Sequence, residues 1–324
     1  MKRILIFTQQ EERSSDDVIL WLQTLDCHVD RLNLDDLILG MHVDSNRHIL
    51  FYHNKSVDLQ QYDAIWCRRS GGTSFGHYNN NSVQEQYNKY FIQYEFQALY
   101  KYLDAVVASK KNINKLSDWE NDKLTQLMLA KQAGFNVPDW RIISDVRSLK
   151  AYIKESGIVI TKALNIPFFE VNTQEINCSV NYGTNLVDEA SVNSFEKERG
   201  HYFYPTFFQK YIEKAYELRV FYLDGQMYAM AIFSQKNSRT KVDFRNYDRE
   251  LPNRTVPYKL PEVLKDTIRK FMKSAGLNSG SLDLIYAPEK EYFFLEVNPA
   301  GQYKWLSTAC NYYIEKDIAH YLYE

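Results

Sequence analysis

"EYFFLEVNPAGQYKW" (residues 291–305) is the stretch on which the reading of this chain turns. It opens as a strand, with Tyr292, Phe293, Phe294 and Leu295, and then places Glu296 and Asn298 two apart. Side chains alternate along a strand, so those two share a face. Just upstream, "SGSLDLIYAPEKEYFFLEVN" (279–298) reads as a hairpin. If Tyr286 pairs with Phe293, Asp283 lies directly opposite Glu296, and a slip of one residue sends it to the wrong face. Asp283, Glu296 and Asn298 then form a set of hard oxygen donors without His or Cys. Such a set suits Mg²⁺, held at roughly 2.0–2.1 Å by one or two carboxylates plus substrate phosphates, and does not suit zinc. The plainer alternative is a strand edge whose polar residues face water.

The totals are those of a water-soluble globular chain. The sequence has 324 residues, with 45% hydrophobic and 25% charged, so a sizeable core spread over about two domains is expected. The formal net charge of -2 gives no overall field to recruit nucleic acid or a membrane. The opening "MKRILIFTQQEERSSDD" reads as a first strand and lacks the pattern of a cleaved signal. No apolar run approaches the roughly 18 residues of a membrane helix. Cys27, Cys67, Cys178 and Cys310 are scattered, which favours reduced thiols and a cytoplasmic protein over a zinc site or a disulfide framework.

Outward from the hairpin, strand and helix patterns alternate in the first third. "RILIFT" (3–8), "HVDRLNL" and "YDAIWCRR" (62–69) read as strands, and "AVVAS" (105–109) as another. Ser15, Asp16 or Asp17 is expected to cap a helix carrying Val18, Leu22 and Leu25. A long helix is expected to carry Tyr87, Phe91, Tyr94, Ala98 and Tyr102 along one stripe, and "NNNS" near 79–82 is expected to be a loop. This pattern predicts an α/β domain with a mostly parallel sheet over 1–113. Residues 114–205 read as a small central α+β subdomain. Its helix presents Leu124, Leu127 and Met128 and closes at Gly134 before Pro138, and hairpins are expected over 168–187. Residues 206–324 read as an antiparallel subdomain. "ELRVFYL", "DG" and "QMYAMAIF" make a hairpin, and a helix from Pro261 carries Val263, Leu264, Ile268, Phe271 and Met272 to Gly276.

Cations complete a possible phosphate site. Lys123 begins a helix, where backbone N–H groups favour anions. Lys162 ends the buried "IVIT" strand, a costly place for an unpaired charge. Taken singly, each lysine is more often a solvated residue. "QKYI" (209–212) reads as a linker strand whose backbone could meet an adenine edge.

Taken in order, "DK", a helix and "AGFNVP", strand-"TK", "FFQKYI", "YELRVF", "SLDLI" and "FLEVNPAGQYKW" resemble the ATP-grasp ligases over about residues 110–310. "YDAIWCRRSGG" and "KVDFR" (241–245) resemble the branch that cross-links ribosomally made peptides into ω-ester or ω-amide rings, the microviridin-type graspetide synthetases. Within that branch the chain looks most like the peptide maturases of grasp-with-spasm systems. The resemblance implies an α/β and α+β ATP-grasp fold, ATP and Mg²⁺ as cofactors, a precursor peptide (leader plus core) as partner, and a homodimer. It implies that Asp283, Glu296 and Asn298 hold Mg²⁺, while Lys123 and Lys162 hold the ATP phosphates. Gln209, Tyr211 and Ile212 would meet adenine, with Glu217 on the ribose. Arg219 would lie near the γ-phosphate, and Asp243 and Arg245 would receive the acidic side chain of the peptide.

The chain departs from the family pattern twice. Gln209-Lys210 stands where many relatives carry Gln-Glu. The segment after Lys162, "ALNIPFFEVNTQEINCSVNYGTN", holds one glycine where the phosphate-covering loop is usually rich in small residues. The implied activity is ATP-dependent activation of Glu or Asp side chains as acyl phosphates, followed by attack from a Thr or Ser hydroxyl or a Lys amine. The leader would dock outside the active site, with 168–187 and 237–258 as candidate surfaces. The rival readings are an amino-acid or peptide ligase of the ribosomal-protein glutamate ligase or glutathione synthetase type, a phosphotransferase acting on an alcohol, and a non-enzymatic nucleotide-binding module.

Overall fold

The computed structural model describes residues 1–34, 38–52, 55–69, 83–118, 122–164, 168–172, 177–181 and 183–324. The loop expected at 79–82 lies outside them. In the first third, β1 (Arg3–Thr8) is followed by α1 (Ser14–Gln23), β2 (His28–Asn33), β3 (Ile38–Val43), β4 (His48–Tyr52), β5 (Lys55–Asp58), β6 (Ala64–Cys67), α2 (Val83–Ala108) and β7 (Lys111–Ile113). The order β2-β1-β6-β7 makes the expected parallel sheet. It is apolar on both faces, as a covered parallel sheet must be. Ile4 and Ile6 enter one core with α1, while Leu5 and Phe7 enter another with Leu103 and Val107 of α2.

Two expectations here are corrected. "AVVAS" is mostly the last turn of α2, because Val107 continues the buried stripe of Leu103, and the strand falls later, at β7. On the aromatic stripe of α2, Phe91, Tyr94 and Tyr102 are exposed. At α1, Ser15, Asp16 and Asp17 lie inside the helix, and Glu12 accepts from the Ser15 N–H at 2.8 Å in the capping role. The antiparallel sheet β3-β4-β5 was not anticipated.

The middle of the chain runs α3 (Lys123–Ala133), β8 (Trp140–Asp145), α4 (Val146–Ser156), β9 (Val159–Thr161), β10 (Phe168–Asn172), β11 (Asn177–Asn181), β12 (Asn185–Val187), α5 (Glu189–Arg199) and β13 (Tyr202–Lys210). Helix α3 ends as expected, with Gly134 at φ 103°. Its Met128 is exposed, so Leu127 and Ala130 carry the buried face. β10 and β11 form the expected hairpin, and the order β12-β9-β13-β8 makes an antiparallel sheet backed by α4 and α5.

Then come β14 (Tyr216–Leu223), β15 (Gln226–Phe233), β16 (Arg254–Pro257), α6 (Glu262–Ser274), β17 (Ser279–Tyr286), β18 (Tyr292–Asn298), α7 (Lys304–Cys310) and α8 (Ile314–Tyr323). β14 and β15 turn through Asp224 and Gly225, both at positive φ, as the Asp-Gly pair demands. The order β16-β15-β14-β17-β18 gives an antiparallel sheet. One of its faces packs on α3 and α6 through Leu218, Val220, Leu282, Leu284 and Phe294. Val263 of α6 is exposed, and Leu264, Ile268, Phe271 and Met272 carry that helix's buried face. The other face joins the first sheet through Phe221, Leu223, α7 and α8, so the last helix seals the first strands.

Asp283 does lie opposite Glu296, by a different register from the one expected. Tyr286 pairs with Tyr292, Ile285 with Phe293 and Leu284 with Phe294; the register then shifts, and Asp283 meets Glu296. Leu295 is the extra residue of a β-bulge. Strict alternation would place Phe294 and Glu296 on one face. With the bulge, Phe294 and Val297 both enter the α6 core while Glu296 and Leu295 line a cleft on the opposite face.

Deleting Leu295 should leave a regular strand in which Phe294 and Val297 still face the α6 core and Glu296 still faces the cleft, because the residue removed is the one outside the ladder. We expect it to lose less in urea unfolding than Phe294→Ala, which should cost about 3–5 kcal/mol, the scale of removing a buried phenylalanine. A larger loss on deletion would show that Leu295 does more than bulge out of the ladder.

Candidate active site

Three side chains lie in one row across the last sheet. Arg219 on β14 pairs in register with Asp283 on β17, and Asp283 with Glu296 on β18. Arg219 Nη1 donates to both Asp283 oxygens, at 2.7 and 2.8 Å. Burial pushes the Asp283 carboxyl up despite Arg219, and the charge of Glu296 opposite adds to this. Burial also works to raise Glu296. There Lys162, Lys123 and Arg245 outweigh burial and hold the carboxyl below its usual range. Lys123 Nζ lies 3.8 Å from Glu296 and donates to Ala163 O at 2.7 Å. Burial lowers both lysine ammoniums, with Glu296 opposing it. Two of the free N–H groups at the start of α3, expected to favour an anion, are taken by the cap residue Asp122, which accepts from Leu124 N and Thr125 N.

Asp243 and Arg245 meet this row from the loop after β15. Arg245 donates to Asp243 from its backbone N, from Nε at 2.9 Å and from Nη2 at 2.7 Å, leaving Nη1 at 3.4 Å from Glu296 Oε1. Asp243 is buried and also accepts from Thr184 Oγ1 at 3.1 Å. Burial works to raise Asp243, and the hydrogen bonds and charge of Arg245 bring it below its usual value.

The far side of the cleft is the end of β13. Gln209 is 1% exposed, lines the cleft, and neither of its side-chain amide atoms has a partner among the described residues. An unpaired buried amide is costly, so this one is poised for a partner in the cleft. Tyr211 and Ile212 line the same wall, while the N–H groups of Lys210 and Tyr211 are spent on Asp139 O and Ile158 O. Burial raises Glu217, against the opposing charge of Lys214 and the hydrogen bonds of Lys214 and Ser234.

One cleft thus brings together Lys162, Gln209, Tyr211, Ile212, Glu217, Asp243, Arg245, Asp283 and Glu296. Lys123 and Arg219 reach it through Glu296 and Asp283. Asn298 is exposed, two pairs further along β18, opposite Ser281. Lys214 and Thr184 also line the cleft and were missed by sequence reasoning. Lys214 had a local signal, the "EKAYE" spacing that sets it beside Glu217; Thr184 had none.

The donor set fits Mg²⁺ carried by a phosphate substrate. Among the described residues no three of His, Cys, Asp or Glu are grouped to hold a metal by themselves. Two facing carboxylates and a nearby amide are a partial shell that phosphate oxygens would complete.

No family model matches the chain, and a comparison with curated proteins gives no match. Solved structures do match over their full length. A RiPP-associated ATP-grasp ligase from Chryseobacterium gregarium, in complex with ADP and a leader and core peptide, is similar at TM-score 0.82 and 25% identity, over 99% of this chain and 96% of that one. Macrocyclase MdnC of Microcystis aeruginosa, bound with its precursor peptide, is similar at TM-score 0.77 and 24% identity over 99% of both chains. Macrocyclase MdnB of the same organism matches at TM-score 0.73 and 23% identity, also over 99% of both. The chain has the fold of the ATP-grasp ligases. Its likenesses lie among the RiPP-associated ligases and macrocyclases, the branch that "CRRSGG" and "KVDFR" resemble.

Arg245 depresses both Asp243 and Glu296, so their contribution to stability is present above the ordinary carboxylate values of 3.8 and 4.5 and is lost as pH falls through the lower folded values. Arg245→Gln should therefore destabilise the protein at neutral pH, with a difference that shrinks as pH falls below about 4 in thermal unfolding runs. A difference independent of pH would show that the Arg245 contacts do not act through these charges.

Proposed function

We propose that this protein activates Glu or Asp side chains of a ribosomally made precursor peptide as acyl phosphates. It then closes ω-ester or ω-amide macrocycles with Thr, Ser or Lys side chains of the same peptide. One observation carries the reading: a single cleft holds the unpartnered amide of Gln209 together with the facing carboxylates Asp283 and Glu296 and the cations Lys162 and Arg245. This arrangement suits a nucleotide base at one wall and its phosphates at the other. The full-length likeness to ligases and macrocyclases solved with ADP or precursor peptides supports the substrate class.

The roles follow from charge. Asp283, Glu296 and Asn298 would hold Mg²⁺, which would supply neutralisation of the phosphates during phosphoryl transfer. Lys123 and Lys162 hold phosphate oxygens. The Gln209 amide reads the adenine edge, beside Tyr211 and Ile212. Glu217, fixed by Lys214 and Ser234, faces the ribose. Arg245, set by Asp243, exchanges its long contact to Glu296 for the substrate carboxylate, which a guanidinium grips with two bonds. A substrate carboxylate oxygen attacks the γ-phosphorus and ADP leaves, with Arg219 beside the transferred group. The hydroxyl or amine then attacks the acyl carbon, gives up its proton, and inorganic phosphate departs with the carboxylate oxygen. No side chain of the protein need form a covalent intermediate. Domains at 1–113, 114–205 and 206–324, a homodimer and a cytoplasmic setting belong to the same proposal.

Two measurements test it. A peptide encoded beside this protein and rich in Thr and Glu or Asp is incubated with the protein, ATP and Mg²⁺. Its mass should fall by one water per ring, and Glu296→Gln should abolish the loss. An unchanged mass with ATP consumed on addition of free amino acids would instead favour an amino-acid ligase. Separately, Gln209→Met should raise thermal stability without nucleotide by relieving two unpaired polar groups. It should also weaken ADP binding about tenfold, the value of a hydrogen bond or two. Undiminished ADP affinity would remove Gln209 from the nucleotide site.

A further inference from the structure

The backbone just beyond the metal-ligand strand is irregular, and its carbonyls from Val297 to Gln302 are each taken by a group from elsewhere in the sequence or by the turn itself. Gln126 of α3 donates to Val297 O at 3.0 Å and accepts from Val297 N at 2.9 Å, which locks the residue between Glu296 and Asn298. Asn298 O accepts from Gly301 N at 3.0 Å. Asn114, just after β7, donates from Nδ2 to Pro299 O at 2.8 Å. Arg68, just after β6, donates from Nη1 to Ala300 O at 2.7 Å and Gly301 O at 3.0 Å. Arg219 and Ser281 reach Gln302 O, each at 3.4 Å. Gly301 itself is packed against β17, where a Cβ would lie 2.3 Å from that of Ser281.

Arg68 is 3% exposed, which is expensive for a guanidinium. Its charge is met by Glu12 at 3.5 Å, and its plane lies over the Tyr303 ring, 5.1 Å from the centroid. Glu12 is fixed in turn by Ser14 and by the Ser15 N–H. An ion pair built this deep to grip two neutral carbonyls is poor value for stability alone. It does fix the position of the turn that follows Asn298.

We infer that Arg68, with Asn114 and Gln126, is a positioning residue for the metal-ligand end of β18. It would set the reach of Asn298 and Glu296 toward the ion from the N-terminal sheet. The inference rests on the reading of Asp283, Glu296 and Asn298 as metal ligands. Groups that orient ligands typically change metal affinity when removed, while the nucleotide's own contacts persist.

The test uses the full chain with ADP and Mn²⁺ as a stand-in for Mg²⁺, the bound ion being read by electron paramagnetic resonance. ADP affinity without metal and thermal stability are measured alongside. Asn114→Gly keeps the positive φ of 59° and removes the Pro299 bond, so it is the mild variant. Gln126→Met and Arg68→Met are the stronger ones, and Arg68→Lys keeps the charge opposite Glu12. Each Met variant should weaken Mn²⁺ about tenfold or more with metal-free ADP affinity unchanged. Asn114→Gly should shift Mn²⁺ affinity in the same direction by less, and Arg68→Lys should recover part of the Arg68→Met loss. Unchanged Mn²⁺ affinity in Asn114→Gly and Gln126→Met would overturn the inference. So would parallel losses of Mn²⁺ and metal-free ADP binding, which mark general disruption. If the unaltered protein bound no Mn²⁺ with ADP, the reading of the site would fail and take this inference with it.

Discussion

The site depends on a single shift of strand register. β18 has to serve two faces that strict alternation cannot reconcile: Phe294 and Val297 belong to the α6 core, while Glu296 belongs to the cleft. Leu295 resolves the conflict by bulging between the Leu284–Phe294 and Asp283–Glu296 pairs. A bulge leaves one residue out of the ladder and kinks the strand, a local cost. Here the cost falls where the chain must present a carboxylate rather than complete a sheet. The row Arg219–Asp283–Glu296 exists because the register shifts at that point.

That row is a charge problem before it is a catalytic one. Asp283, Glu296, Asp243 and Glu217 are all withdrawn from bulk water, and each is answered by a cation: Arg219, Lys123, Arg245 and Lys214. Lys162 lies beside this network with burial pressing its ammonium toward neutrality. The positive charge gathered around Glu296 therefore exceeds what that carboxylate needs. Buried ion pairs seldom stabilise a fold beyond what apolar residues would achieve. An excess of cations over one carboxylate makes better sense as a pocket for a polyanion that arrives with its own metal.

Much of this was legible in the sequence because the signals were local. The Asp-Gly turn between β14 and β15, the glycine that ends α3, and the alternation of the last strands each follow from short-range chemistry. The convergence of Asp283 and Glu296 was legible too, although the route was misread. A bulge built on leucine carries no glycine to announce it. "AVVAS" failed for a related reason: Ala and Val sit as well at the end of an amphipathic helix as in a strand, and the period set by Leu103 and Val107 decides between them. The aromatic stripe of α2 was legible as a stripe, and the exposure of Phe91, Tyr94 and Tyr102 was not, since periodicity marks a face without saying what covers it. Arg68, Asn114 and Gln126 were invisible because their partners are backbone carbonyls, which have no identity in a sequence.

Those three residues explain how an irregular segment can be rigid. Backbone outside a ladder still has to satisfy its polar groups, and water is scarce where a turn is wedged between sheets. A regular strand would have solved the problem alone and could not have turned past Asn298 into α7. The chain instead recruits a glutamine from α3, an asparagine after β7 and an arginine after β6. The segment's geometry is consequently set by elements on three sides, two of them attached to the N-terminal sheet. The placement of Asn298 therefore belongs to the packing of the first sheet against the last, which the shared core of Ile4, Ile6, Phe221 and Leu306 holds fixed.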